Sequence, residues 1–242
     1  MRGDRWKGRG GRGPGTQSPI VPWEPPAGAI YSSDFNVAEN PISDSSKWRN
    51  GVVANGLWNN VKTINGIACA AAEANTLGSR YDDPTAHLLE SYHNFAANQW
   101  CEGEIYRASG YNPNQGVTKH EIELLLRWEI GDGVSTVRGY EFIIGHDNGC
   151  IWVRWNGTRG SYDPISTVHY PSPAFADGDI IRVEISSTTM TAYRNGTPLT
   201  DQSVSNATWS DGQPGMGFWP VNDGTAPVIE NFGWKNWAAG EL

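Results

Sequence analysis

The stretch Asp177–Leu199, DGDIIRVEISSTTMTAYRNGTPL, carries the fold reading in miniature. It opens on Asp177-Gly178 and contains Asn195-Gly196. Between them Ile181, Val183 and Ile185 point to one side while Arg182 and Glu184 point to the other. A period of two is the period of a β-strand. One apolar face and one charged face mark a strand that covers a core on one side and meets water on the other. Asn, Asp and Gly tolerate positive φ, so the bounding dipeptides suit tight turns.

The same punctuation recurs along the chain. Asn-Gly stands at 50, 55, 65, 148, 156 and 195, and Asp-Gly at 132, 177, 211 and 223. Between these turns lie short runs rich in Val, Ile, Tyr and Trp. In HEIELLLRWEI (120–130), alternation puts Ile122, Leu124, Leu126, Trp128 and Ile130 on one side, and Glu121, Glu123, Leu125, Arg127 and Glu129 on the other. In WCEGEIYR (100–107), Cys101, Gly103 and Ile105 oppose Glu102, Glu104 and Tyr106. In GCIWVRWNG (149–157), Ile151, Val153 and Trp155 oppose Trp152 and Arg154. The most helix-like stretch, IACAAAEANTLG (67–78), lacks an amphipathic face. The expected fold class is therefore all-β, with two antiparallel sheets packed face to face.

Residues 1–29 read differently, as an extended arm ahead of a sandwich spanning 30–242. The arm begins MRGDRWKGRGGRGPG and continues into a segment with four prolines between 19 and 26, which favours extended backbone. Such a segment builds no core of its own. It can lie along another surface, with Arg2, Arg5, Trp6, Arg9, Arg12, Ile20, Val21 and Trp23 as anchors.

Charge separates the two parts. The formal net charge is −8, yet residues 1–13 carry five basic groups against Asp4, a net +4. The remaining residues hold 13 basic and 25 acidic groups, a net −12. An acidic body repels a phosphate backbone, which argues against nucleic acid as the partner. An arm and a body of opposite sign suit contact with an acidic neighbour, a second copy of the chain included. Cys69, Cys101 and Cys150 are an odd number without CxxC spacing and read as buried free thiols. No run reaches the ~18 apolar residues of a membrane span. No apolar segment of a signal peptide follows the charged N-terminus, so the expected location is the cytoplasm or a virion surface.

Several pieces, in order, resemble the concanavalin A-like lectin/glucanase superfamily. YSSDFNV (31–37) is similar to its opening strand and SSKWRNG (45–51) to the tryptophan segment that follows. NFAANQWCEGEIYR (94–107), the hairpin 177–199, GQPGMGFW (212–219) and PVIENFGWKNW (227–237) complete the resemblance, which covers about residues 31–238. It implies a jelly-roll sandwich with one concave sheet, and glycan binding as the commonest use.

The laminarinase-type hydrolases of that superfamily carry Glu-x-Asp-x-x-Glu, sometimes with one more spacer, on a concave strand. Here Glu121-Ile122-Glu123 is followed by Leu124, Leu125 and Leu126, so the third carboxylate is missing at both spacings. The Arg-x-Glu-x-Arg and Gln-x-His strands of alginate-lyase relatives are also missing. An unfamiliar lyase site would need a cation such as Arg127 or Arg154, with His120, His146, Tyr106 or Tyr140 as base and acid.

Sugar binding wants an aromatic platform with a few placed polar groups. Trp152 with Arg154, Arg127, Glu129, Tyr106 and Glu104 are the expected glycan-binding residues. The charged ones serve equally as cross-strand ion pairs. For calcium, YDDP (81–84), HDNG (146–149) and VNDG (221–224) offer oxygen ligands, though each is also an ordinary turn sequence. No other cofactor is implied. Asn156, Asn195 and Asn206 match the N-glycosylation pattern but read as turn residues.

Three readings remain open. The first is a non-enzymatic, lectin-like protein held on a larger assembly by its arm, as a phage capsid decoration or fibre would be. The second is a polysaccharide lyase or hydrolase with an atypical site. The third is a soluble carbohydrate-binding module.

Overall fold

The computed structural model describes residues 23–51, 58–72, 83–113, 119–131, 137–146, 149–157, 161–221 and 228–242. Its early strands are β1 (Ala29–Ser33), β2 (Trp48–Asn50), β3 (Val61–Ile64), β4 (Ile67–Ala70) and β5 (Thr85–Leu88). Five follow in the middle: β6 (Gln99–Arg107), β7 (Lys119–Ile130), β8 (Val137–His146), β9 (Gly149–Asn156) and β10 (Tyr162–Pro164). The last are β11 (Ile180–Ser186), β12 (Thr189–Arg194), β13 (Thr197–Ser205), β14 (Gln213–Val221) and β15 (Phe232–Glu241).

All pairings are antiparallel, and they form two sheets. One runs β13-β12-β11-β6-β15-β4-β3, with β1 also paired to β15. The other runs β10-β9-β8-β7-β14-β5-β2. Each sheet also pairs strands far apart in sequence, as in a jelly roll. β6 lies between β11 and β15, and β14 between β7 and β5. The all-β, two-sheet expectation therefore holds.

The turn chemistry works as read. Asn65-Gly66 joins β3 to β4 and Asn195-Gly196 joins β12 to β13. Both residues of each pair have positive φ, 53° and 77° in the first, 51° and 77° in the second. Such turns match the right-handed twist of the strands they connect. The three sequon asparagines are engaged in similar local bonds. Asn195 accepts from the Ile180 amide at 2.8 Å, Asn206 accepts from the Thr208 amide at 3.0 Å, and Asn156 donates to Asp163 at 2.7 Å.

The core between the sheets takes Ile181, Val183, Ile185, Cys101 and Ile105 from one sheet, on the face that alternation assigned. From the other it takes Ile122, Leu124, Leu126, Tyr140, Phe142, Trp152 and Phe218. Gly103 is needed where Trp234 crosses β6: a Cβ there would lie 2.4 Å from the indole. All three cysteines are free and buried.

Two expectations about faces are overturned. Simple alternation along β7 fails after Leu126. Register against β8 shifts between Leu126 and Glu129, and Arg127 sits at φ 48°. One extra residue makes a β-bulge, and every later side chain changes sides. Trp128 and Ile130 thus leave the core face and join Leu125 in a second apolar cluster. Arg127 and Glu129 no longer share a face with Glu121 and Glu123. On β9 the alternation is right but the sides are exchanged. Trp152 is fully buried between the sheets, its ring centroid 4.9 Å from that of Phe142, while Ile151, Val153 and Trp155 belong to the second cluster.

Candidate functional site

The outer face of the seven-stranded sheet, turned away from the core, carries an unusual combination. Trp155 packs edge-on against Trp58 and Trp128, with ring centroids 5.0 and 6.2 Å away. Beside this aromatic wall lie the carboxyl groups of Glu121, Glu123, Glu141 and Asp83, each no more than 6% exposed. Glu121 and Glu123 come from one face of β7. Glu141 comes from β8, directly opposite Leu125. Glu123 lies over Gly217 of β14, where a Cβ would stand 2.0 Å from its Oε2. Glycine at that position is what lets the carboxyl lie flat on the sheet.

Glu123 and Glu141 hydrogen-bond to each other, and the Trp155 indole donates to Glu141 Oε2 at 2.6 Å. Burial raises the pKa of both. Glu123 is pushed well above the carboxylate range, first by burial and then by the charges of Glu141, Asp83 and Glu121. Glu141 is held lower by accepting bonds from Glu123 and Trp155. The raised pKa favours one proton held between the two groups, with Glu123 as donor and Glu141 as acceptor.

Past Trp128, at the end of β7, the sheet borders a groove of about 450 Å³. Its lining includes Arg49, His87, Glu90, Asn94, Arg138 and Gln213. His87 Nδ1 donates to the Leu88 carbonyl at 2.8 Å while Nε2 accepts from the Ile130 amide at 3.4 Å. Complete burial brings its pKa down to about 4, so the ring is neutral at physiological pH. Arg138 bonds Asp211 at 3.0 Å, pairs with Glu129 and stacks on Trp209 at 5.3 Å. The groove thus offers planar amide, guanidinium and carboxylate groups beside an indole edge. Among the described residues no group of three or more His, Cys, Asp or Glu is placed to hold a metal ion. Of the calcium-candidate stretches, Tyr81, Asp82, Asp147, Asn148 and Asn222–Gly224 lie outside the described residues.

No family model matches the chain, and no curated protein matches it in sequence. Solved structures do match. The carbohydrate binding module CBM66 from Bacillus subtilis superposes with a TM-score of 0.51 at 11% identity, over 83% of this chain and 96% of that one. LamAcat from Zobellia galactanivorans gives 0.52 at 12% identity, over 89% and 98%. A prokaryotic β-1,3-1,4-glucanase (lichenase) derived from a mouse hindgut metagenome gives 0.52 at 10%, over 88% and 99%. The fold is thus a concanavalin A-like jelly roll, similar to those of these solved structures.

Within this concanavalin A-like sandwich, the six residues expected to bind glycan fall in separate places. Trp152 is in the core and offers no platform. Arg127 is locked in the bulge, donating to the carbonyls of Ala97, Trp209 and Ser187 at 2.9, 2.6 and 2.7 Å. Glu104 and Tyr106 lie on the outer face of the opposite sheet, around Lys235 and Asn236. Arg154 pairs with Asp163 and bonds Thr208 at 2.7 Å. Glu129 lines the groove. The lyase set is not assembled either. His120 is fully buried, bonded to Tyr111 at 2.9 Å, and burial brings its pKa down to about 3. Tyr140 is in the core, and the His146 side chain lies outside the described residues. Of the expected arm anchors, Trp23 is described and Arg2, Arg5, Trp6, Arg9, Arg12, Ile20 and Val21 are not.

Sequence reasoning passed over Glu141, Trp58, His87 and Gln213. Glu141 had one signal: it is the charged residue on the β8 face shared by Val137, Gly139 and Ile143. What brings it to the Glu121/Glu123 strand is register, which sets it opposite Leu125.

Proposed function

We propose that the chain is a carbohydrate-binding protein without hydrolytic activity, taking a glycan into the groove of the seven-stranded sheet. The observation that carries this reading is the closed Glu123–Glu141 pair beside an open polar groove. Retaining glycosidases hold two carboxyls about 5–5.5 Å apart and inverting ones about 6.5–9.5 Å apart, so that substrate or water fits between them. Two carboxyls in direct hydrogen bond leave no such room, and the Trp155 indole occupies an oxygen of Glu141 as well. The groove supplies what sugar binding needs: amides, charged hydrogen bonders and an aromatic edge. Fold neighbours that include a carbohydrate binding module and a glucanase support glycan as the ligand class. This support is analogy at the level of the fold.

The basic arm, set against an acidic body, would hold this domain on a larger assembly, such as the capsid surface of a phage. Hydrolysis by Glu121 and Glu123 with Glu141 as third carboxylate is the second reading, favoured by their placement on one face of β7 and β8.

Affinity electrophoresis and calorimetry of the full chain against neutral and anionic polysaccharides test the first part. Binding without new reducing ends or unsaturated uronates is expected; product formation would replace it with the enzymatic reading. For the arm, replacing Arg2, Arg5, Arg9 and Arg12 by Ser should abolish co-sedimentation with the assembly while leaving glycan affinity unchanged. Retained co-sedimentation would sink the anchoring idea.

A further inference from the structure

A second cavity, of about 550 Å³, lies at the root of the arm, lined by residues other than those of the groove. Its walls are Trp23 and Pro25 of the arm, the end of β1 with the residues that follow it (32–37), the loop 39–47 before β2, and Thr63 of β3. Trp23 is half-buried and lines the cavity. We propose that this cavity is a saccharide site that takes a neutral pyranoside ring against Trp23. The inference goes beyond the groove and does not depend on it.

The lining fits that class in shape and chemistry. A volume of this order accommodates a small ligand rather than a single water. An indole face beside hydroxyl and carboxamide groups suits a sugar ring, whose C–H face is apolar and whose rim is hydroxyl. Ser32, Ser45, Asn36 and Asp34 provide that polar rim. Asp34 and Asn36 hold one another in place: Asp34 accepts from the Asn36 amide N–H at 3.3 Å and from its side-chain Nδ2.

Charge narrows the class. The cavity's cation, Lys47, is paired to Asp44 at 3.0 Å and rests over the rings of Tyr31 and Tyr92. Glu39 accepts the amides of Ser43 and Asp44 at 2.9 and 2.8 Å, and Asp34 has amide partners. Among the described lining residues the balance is negative, which repels uronates and sulfated sugars and leaves acceptors for sugar hydroxyls. Backbone conformation supports a built wall. Phe35, Asp44, Ser45 and Ser46 have φ of 53°, 40°, 59° and 66°, a left-handed conformation unusual for residues with side chains. The Glu39 carboxylate, the Tyr31 hydroxyl and Lys47 pin this wall through Asp44 and its neighbour. Strained backbone held by its surroundings recurs at ligand clamps.

The test uses the full chain with nitrogen-15 labelled indoles, the Trp23 signal being assigned by its loss in Trp23→Ala. Neutral gluco-, galacto- and manno-configured trisaccharides, a glucosamine trisaccharide and a uronate trisaccharide are titrated separately. At least one neutral trisaccharide should shift the Trp23 indole, with at least tenfold weaker binding at this site in Trp23→Ala and a smaller loss in Trp23→Phe. A shift given by the uronate or the glucosamine compound alone, or by none of them, overturns the proposal. A Gln213→Ala variant separates the two sites: it should weaken groove binding and leave the Trp23 shift intact. If the Trp23 shift disappears in Gln213→Ala while that variant stays folded, the site is not independent and the proposal fails. Groove binding that fails while Trp23 still responds overturns the groove reading alone.

Discussion

Glu123 on β7 and Glu141 on β8 share a proton beneath the indole of Trp155, on the outer face of a sheet whose other side is the core. Two carboxyls held this close and this dry cannot both ionise without a large penalty. The pair makes the stability of the domain depend on pH in a direction set by its raised pKa.

A carboxyl whose folded pKa lies above its unfolded value binds a proton more tightly in the native state. Its contribution is therefore fully present below the unfolded value, ~4.3, and is lost as pH rises toward the folded pKa. Glu123→Gln keeps a hydrogen-bond donor without the charge. It should stabilise the protein at pH 8 and leave stability at pH 4 nearly unchanged. Urea denaturation at both pH values measures this; equal effects at the two would contradict the shared proton.

His87 has the opposite sign. Its folded pKa of about 4 lies below the unfolded value, so its contribution is present above ~6.5 and lost as pH falls toward 4. Its ring carbon resonances should be flat between pH 5 and 8, and groove affinity should show no His87-linked step in that range. NMR titration of the imidazole provides the check.

Arg127 is a structural cation. Its guanidinium donates to three backbone carbonyls from three separate loops. Arg127→Ala should cost about 3 kcal/mol by leaving those carbonyls without their charged donor. Glycan affinity, measured on the remaining folded fraction, should not change. A selective loss of affinity at full stability would restore it as a ligand residue.

Gly217 and Glu123 should behave as a coupled pair. Gly217→Ala places a methyl where the carboxyl lies and should destabilise by about 1–3 kcal/mol. In an Glu123→Ala background the same substitution should cost much less. A double-mutant cycle with no coupling would show that the carboxyl can move aside freely.

Trp152→Ala should unfold or strongly destabilise the protein, by about 3–5 kcal/mol, because it opens a void between the sheets. Thermal melts decide between that result and loss of binding by an otherwise stable protein.

Much of the architecture was legible because local rules and tertiary packing agree. Asn65-Gly66 and Asn195-Gly196 make the turns their φ preferences favour, and β11 buries Ile181, Val183 and Ile185 on the face alternation assigned. The candidate site was legible in part. Glu121 and Glu123 stood out as paired carboxylates, whereas Glu141 waits on register between β7 and β8. Trp152 and Trp155 could not be sorted by period alone, because β9 has apolar or aromatic residues on both faces.

The sequence by itself determined strand period, turn positions and the charge contrast between arm and body, since each depends on neighbours a few residues apart. Tertiary structure decided three further things. A bulge at Arg127 exchanged the faces of Trp128 and Glu129. Register set Glu141 beside Glu123. The two sheets sent Glu104 and Tyr106 to the side of the sandwich opposite Glu123. The physical reason is common to all three. A strand's alternation says which residues share a face, but which face is buried, and what lies beside it, depends on the partner strand and on the sheet packed against it.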